Sequence, residues 1–147
     1  MMKKKVSIVL IMAIPVLLVA ISGTRTNPKI VHTVSWDSSE TSELFYKACA
    51  DCHSHETKWP WYSYVAPVSW KIINNVNEGR GEFNISIASL GEAYEAAEEV
   101  LEGEMPPREY LILHSEAKLN TEEKNAFATG LTNTFGGEGG HDDDDDH

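Results

Sequence analysis

Cysteine is scarce in this sequence: among 147 residues only Cys49 and Cys52 carry thiols. If both serve one short motif, no cysteine is left for a structural disulfide within the chain. The sequence also lacks a second cysteine or histidine pair at metal-ligand spacing, which a four-ligand zinc site requires. No βαβ pattern surrounds the two cysteines, so a thioredoxin-like redox pair is disfavoured as well.

The sequence also has few positively charged residues. The chain has 12 Lys and Arg against 23 Asp and Glu, which gives a formal net charge of −11 at pH 7. Nucleic-acid binding is excluded by this balance, because contacts to phosphates require Lys and Arg. The acidic composition favours a protein partner with a basic docking surface.

The N-terminus carries the long hydrophobic run. Three lysines precede an apolar stretch over 6–21, which is short for a membrane span of about 20 apolar residues, and Ala20-Ile21-Ser22 is an acceptable cleavage site. Residues 1–23 are therefore predicted to be a signal peptide or, if uncleaved, an anchor in the inner membrane. Either outcome places the working domain in the periplasm or at the outer face of the membrane.

The chemistry centres on Cys49-Ala50-Asp51-Cys52-His53. Residues i and i+3 of a helical turn lie on one face, so Cys49 and Cys52 can each form a thioether to one vinyl group of the same porphyrin. The adjacent His53 can then direct a ring nitrogen at the iron. This spacing is the attachment signature of one covalent haem c with His53 as proximal ligand.

The second axial ligand determines the function. Met105 ranks first, because the Met-Pro-Pro sequence puts its thioether on a rigid, extended arm. His114 is the next candidate, followed by His32 and the histidines of the tail. His55 is excluded, since two residues reach only about 7 Å and cannot pass the porphyrin edge. A His/Met pair would raise the reduction potential relative to two histidines.

Aromatic residues and one cation complete the predicted cofactor site. The loop that follows the motif contains Trp59, Trp61 and Tyr62, broken by prolines, and is predicted to lay flat rings against the haem. Trp70, on a neighbouring helix, joins this set. Arg80 is one of few cations in the domain and is a candidate bidentate partner of a haem propionate.

Apolar spacing predicts the first and last helices. The first begins at 37–40, where capping oxygens precede an acidic residue, and carries the haem motif at its C-terminal end. The last opens at Asn120, with Phe127 and Leu131 on its buried side. Residues 24–36 form an extended connector.

Two further helices are predicted between them. One covers 68–77 and stops at Gly79. The other has Leu90, Tyr94, Ala97 and Leu101 on its apolar face and glutamates on the opposite face. Residues 24–135 are thus one small haem-binding domain, and the Gly- and Asp-rich residues 136–147 form a disordered tail.

An ordered series of motifs over about 27–131 resembles the bacterial haem-binding domain family of small exported cytochrome c-like proteins. The motifs that carry the resemblance are Cys49 to Ser54, Thr57 to Ser63, Ala66 to Trp70, Glu78-Gly79-Arg80, Phe83-Asn84, Met105-Pro106-Pro107, His114 and Ala117-Lys118-Leu119. The tail from Gly136 onward lies outside the pattern.

This resemblance implies an all-α fold similar to class I cytochromes c, built around one covalently attached haem behind a hydrophobic leader. It implies thioether bonds at Cys49 and Cys52, a proximal His53 and a distal Met105. His114 also belongs to the family pattern, so the choice of distal ligand stays open between Met105 and His114.

Two functions follow from the choice of ligand. If both axial positions are filled, the protein is a single-haem electron carrier and not an enzyme, because no site is open to substrate. If the sixth position is open or weakly held, the protein is a haem-based sensor or a small-ligand-binding module. No distal acid and base with a clear catalytic role are identifiable, which disfavours an enzyme such as a peroxidase.

Overall fold

Helices make up all the regular secondary structure of the part described by the computed structural model, residues 23–137. The predicted leader and most of the predicted tail lie outside these residues. The α-helices are α1 Ser39–Ala48, α2 Ala50–His53, α3 Val68–Glu82, α4 Ala96–Glu102, α5 Arg108–Leu113 and α6 Thr121–Phe135. Three 3-10 turns lie at Trp61–Tyr64, Ala93–Glu95 and Ser115–Ala117. The prediction of a small all-α domain is confirmed. None of the helices between 23 and 137 is long and apolar enough to cross a bilayer.

Side-chain caps start the first and last helices. At α1 the Ser38 hydroxyl accepts a hydrogen bond from the backbone N–H of Thr41. At α6 Asn120 accepts from the N–H of Glu123, whose carboxylate accepts in return from the N–H of Asn120. Such caps satisfy N–H groups that have no partner within the helix. Both predicted helix starts are confirmed.

The hydrophobic core lies where α6 packs against α1 and α4. Phe45 of α1 and Phe127 of α6 are fully buried, and Val100 and Leu131 are almost so. Helices α1 and α6 meet at Gly130, where an added Cβ would collide with the side chain of Thr41. The connector joins this core through Trp36, whose ring lies 5.0 Å from that of Phe45.

The motif helix is interrupted, contrary to the prediction of one continuous helix through Cys52. Cys49 leaves helical geometry with φ −121° and ψ −33°, and α2 starts afresh at the next residue. The carbonyl of Cys49 accepts from the N–H groups of Cys52 and His53, at 3.1 and 3.0 Å. The motif thus folds as its own turn, closed by these two hydrogen bonds.

The predicted stop at Gly79 is wrong, since α3 continues through it to Glu82. The reason is close packing between helices: α3 lies against α2, and a Cβ at Gly79 would stand 3.0 Å from both the Cβ and the carbonyl oxygen of Cys52. A glycine here serves close approach of two helices, and it does not end one.

The apolar face predicted for the helix over 90–101 is found only in part: Leu90 and Ala97 pack against the core, but Tyr94 and Leu101 do not. The segment begins as the 3-10 turn Ala93–Glu95 and becomes α-helical only at Ala96. A 3-10 turn has 3.0 residues per turn and an α-helix has 3.6. The 3-10 turn therefore changes which residues of this segment face the core. Ala93 and Val100 are buried, whereas Tyr94 and Leu101 are 43% and 54% exposed.

Candidate cofactor site

A cavity of about 710 Å³ opens beside the core. This volume lies within the range of about 300–1,000 Å³ that is usual for ligand and cofactor sites. Each of the six α-helices supplies at least one lining residue: Phe45, His53, Val76, Val100, Tyr110 and Leu131 belong to α1 through α6 in that order. The core side chains therefore form the apolar wall of the cavity.

His53 is held on this wall by a hydrogen bond to the backbone of Phe83. Its side chain is buried, and Nδ1 lies 3.0 Å from the carbonyl oxygen of Phe83. Burial lowers the pKa of His53, so the imidazole is neutral near pH 7. A neutral ring that donates its Nδ1–H to a carbonyl keeps the Nε2 lone pair for a metal. His53 is thus prepared as a ligand.

Cys49 and Cys52 line the same cavity as free cysteines. Burial is the main cause that raises the pKa of Cys49 to about 12 and that of Cys52 to about 11. Near pH 7 both thiols are therefore neutral.

Met105 reaches the cavity from the loop between α4 and α5. Its backbone N–H donates to the carbonyl of Glu99 at 3.1 Å, and the two prolines that follow also line the cavity. Pro107 then leads directly into α5. Met105 and Pro106 form a bend and not the predicted extended arm, and the half-buried Met105 side chain lies in the lining.

His114 also lines the cavity, but both of its ring nitrogens have partners. Nε2 lies 2.7 Å from the hydroxyl of Tyr62, and Nδ1 lies 3.1 Å from a carboxylate oxygen of Glu116. The ring of Tyr110 stacks on the imidazole at 4.1 Å with an interplanar angle of 7°. One arrangement satisfies both hydrogen bonds: Nδ1–H donates to Glu116 and the Tyr62 hydroxyl donates to Nε2. His32 and His55 lie outside the lining.

Of the four predicted aromatic contacts, Tyr62 lines the cavity and the three tryptophans do not. Trp61 is 79% exposed and Trp70 is 50% exposed. Trp59 turns its indole N–H toward Asn27, at 3.1 Å, and lines a smaller neighbouring cavity. The predicted wall of rings is therefore found only at Tyr62: Trp61 lies in the same 3-10 turn but is exposed, Trp59 lies before that turn, and Trp70 lies on α3.

Arg80 does not line the cavity either. Its guanidinium donates to the Ser54 carbonyl and the Thr57 hydroxyl, both at 2.8 Å. It also donates to Thr26 and Asn27 of the connector, at 2.9 and 3.0 Å. These hydrogen bonds use four of the five N–H donors of the guanidinium and tie the connector to the segment after the haem motif, so the propionate contact stays a prediction that the structure does not support. The lysines of the lining are Lys58 and Lys71.

Sequence reasoning missed Tyr110 and its partner Asp51. The Tyr110 hydroxyl donates to Asp51 at 2.8 Å, and burial and this carboxylate raise the pKa of the phenol. The short helix α5 was not predicted, so nothing placed Tyr110 next to His114. A usable signal exists, since Pro107 stands two positions before the acidic Glu109 and Tyr110 precedes His114 by four positions.

The site defines an all-helical cofactor-binding domain. An apolar cavity, two neutral thiols, a neutral imidazole with Nε2 available and a thioether together fit a haem by the chemistry of the donors. The chain belongs to the haem-binding domain family, whose model matches residues 7–133. No curated protein and no solved structure matches the chain.

Proposed function

We propose that this haem-binding domain is a single-haem c-type cytochrome that carries electrons outside the cytoplasm. Cys49 and Cys52 would hold the porphyrin by thioether bonds, and His53 and Met105 would occupy the two axial positions. When bound, the haem supplies reversible one-electron chemistry at its iron. The location outside the cytoplasm rests on the predicted leader.

The chain's own side chains would set the properties of the site. The hydrogen bond from His53 to Phe83 fixes the imidazole tautomer and ring orientation, and such contacts raise the basicity of a ligand. The buried side chains of Phe45, Val100 and Leu131 keep water from one wall of the cavity. Hydrogen bonding to ligands and burial are two of the means by which a protein tunes a haem potential.

The observation that carries this proposal is that both ring nitrogens of His114 are already in hydrogen-bond contact. Its two ring nitrogens are taken by Tyr62 and Glu116, so coordination by His114 would break at least one of these two hydrogen bonds. The Met105 thioether lines the same cavity and is a weak hydrogen-bond acceptor with little to lose. With His53 and Met105 bound, no position is open to substrate, so the function is electron carriage and not catalysis.

Matched variants of the two candidate ligands test the assignment. In the ferric holoprotein, Met105→Ala should abolish the sulfur-to-iron charge-transfer band and lower the midpoint potential, because the thioether favours ferrous iron. His114→Ala should leave that band in place. Absorption and magnetic circular dichroism spectra, with potentiometric titration, measure both effects. Loss of the sixth ligand in His114→Ala, with Met105→Ala unchanged, would reverse the assignment.

Covalent attachment is tested at the two cysteines. In protein matured by a cytochrome c-competent host, we expect haem to stay on the wild-type chain in a denaturing gel. The double variant Cys49→Ser/Cys52→Ser should release it completely. The pyridine haemochrome spectrum of either single variant should shift to that of a haem with one free vinyl group. Retention of haem by the double variant under denaturation would refute thioether attachment.

A second function, a haem-based sensor, is favoured by one feature of the site. Tyr62 and His114 form a polar pair on the cavity wall, and such groups can donate hydrogen bonds to a small ligand on iron. Carbon monoxide separates the two functions. Rapid uptake by the reduced wild-type protein would favour the sensor, and no uptake would favour the carrier.

A further inference from the structure

One edge of the cavity is formed by three elements that are tied together, and we call it the lip: the turn Trp61–Tyr64, the first turn of α3 and helix α5. The Tyr62 hydroxyl binds His114 just beyond the end of α5, at 2.7 Å. The ammonium of Lys71 binds the carboxylate of Glu109 at 3.0 Å. The lip is therefore held at both ends of α5, and with Lys71 and Glu109 paired, its formal charge is the single positive charge of Arg108.

The lip carries large apolar side chains in contact with solvent. Trp61 and Ile112 are 79% and 78% exposed, and neither lines the cavity. Leu113 and Val68, which stand at the cavity edge, are 60% and 48% exposed. Helix α5 has no buried residue. Single exposed apolar residues are ordinary, but several on one continuous edge mark an interaction surface.

Carboxylates also border the cavity, and we call them the acidic rim: Glu78 and Glu82 of α3 with Glu92, Glu95 and Glu99 before and within α4. These groups repel one another. A charge arrangement that opposes folding is typical of a functional surface.

We propose that the lip and the acidic rim together form the docking surface for a redox partner protein that presents an apolar patch bordered by lysines and arginines. The proposal rests on the proposed electron-carrier function. Apolar lip residues would fill the centre of the contact, and the rim would attract and orient the basic partner. In the contact one electron leaves the reduced centre of the donor and reduces ferric iron; no bond is made or broken.

Charge favours a basic protein over a second copy of the chain or a membrane as the partner of this surface. A second copy of the chain has the same net charge of −11 and would bring one acidic rim toward another. A membrane rich in anionic lipid would repel the rim in the same way. A basic protein is attracted by the rim and can still cover the apolar lip.

Stopped-flow electron transfer with the holoprotein tests the surface. The probes are a cytochrome c whose haem edge is ringed by lysines and, as the acidic counterpart, a plant-type ferredoxin. With the lysine-ringed probe we expect a second-order rate that falls steeply as salt rises, since salt screens steering by charge. The acidic probe should react more slowly at low salt and gain speed with salt.

Variants separate the two parts of the surface. Trp61→Gln/Ile112→Gln should lower the rate with the lysine-ringed probe by about tenfold or more at every salt concentration. Glu92→Gln/Glu95→Gln should lower it only at low salt and flatten its salt dependence. Controls are Val31→Gln, an exposed apolar residue of the connector, and Glu43→Gln on α1. Midpoint potentials of all variants allow comparison at equal driving force.

The outcomes are distinct. If the protein cycles reversibly at an electrode but the lip and rim variants match the controls within twofold, the docking surface is overturned and electron carriage stands. If the protein fails to cycle at an electrode, the carrier function itself fails, and the docking proposal with it. A dimer in sedimentation, or binding to anionic or zwitterionic vesicles, that Trp61→Gln/Ile112→Gln abolishes would assign the lip to a second copy or to a membrane.

Discussion

At the scale of single residues, two glutamates on different helices have pKa values displaced in opposite directions. Glu99, on α4, has its pKa raised by burial and by nearby carboxylates. Glu123, at the start of α6, has its pKa lowered first by the hydrogen bond from Lys47, at 2.6 Å, and then by the N–H of Asn120. Folding therefore works against one charge and favours the other.

These directions predict opposite effects of removing the charge. A carboxylate with a raised folded pKa loses its stabilising contribution as pH rises through that pKa, so Glu99→Gln should raise the melting temperature at pH 7 by roughly 1–3 °C. A carboxylate with a lowered pKa contributes stability above its unfolded pKa, so Glu123→Gln should lower the melting temperature at pH 7.

Thermal unfolding of the holoprotein across pH measures both. The two differences from wild type should shrink as the pH falls below the ordinary carboxyl pKa of 4.5, where both groups are protonated in the unfolded chain. A destabilised Glu99→Gln at pH 7 would show that this carboxylate is engaged by a cation.

At the scale of elements, the contact between α2 and α3 depends on one glycine. Gly79 and Gly81 both lie within α3, but only Gly79 faces another helix closely. A Cβ at Gly79 would stand 3.0 Å from Cys52, whereas a Cβ at Gly81 would have nothing within 4 Å. The pair therefore offers a matched test within one helix.

Gly79→Ala should lower the free energy of unfolding by about 1–3 kcal/mol, because α3 must move away from the haem-attachment segment. Gly81→Ala should be neutral or raise that free energy by up to about 1 kcal/mol, through better helix propensity. Denaturant unfolding of the holoproteins measures the difference. Equal effects of the two substitutions would mean that the close contact with Cys52 does not limit the packing of α3.

At the scale of the whole molecule, the cavity is central to the fold because all six α-helices line it. A haem held by thioether bonds would stay on the unfolded chain, so it would stabilise the domain through the axial and apolar contacts that only the folded chain makes. The haem-binding function and the stability of the domain should therefore be inseparable.

Protein produced without haem should show this dependence. We expect its melting temperature to be at least about 10 °C below that of the holoprotein, with less cooperative unfolding and lower helicity. Far-ultraviolet circular dichroism measures both. The chain with Cys49→Ser/Cys52→Ser, loaded with haem by iron coordination alone, should fall between the two. Identical melting curves with and without haem would show that the helices pack without the cofactor.

Local patterns in the sequence predicted the contacts between residues that lie close together in the chain. The caps at Ser38 and Asn120 join residues three positions apart, and Cys49, Cys52 and His53 reach one cavity because the turn that carries them is closed by its own backbone. Their spacing sets this geometry almost alone, since backbone sterics and hydrogen bonds act over a few residues.

Only the tertiary structure decided which distant groups meet. Tyr62 and His114 are 52 positions apart, and Arg80 and Thr26 are 54 apart, so no local pattern could reveal that His114 is already bonded or that Arg80 is taken by the connector. Gly79 was predicted to end its helix because the sequence does not show that Cys52 packs closely against it. Partners of this kind are chosen by the packing of whole helices, which depends on every buried surface at once.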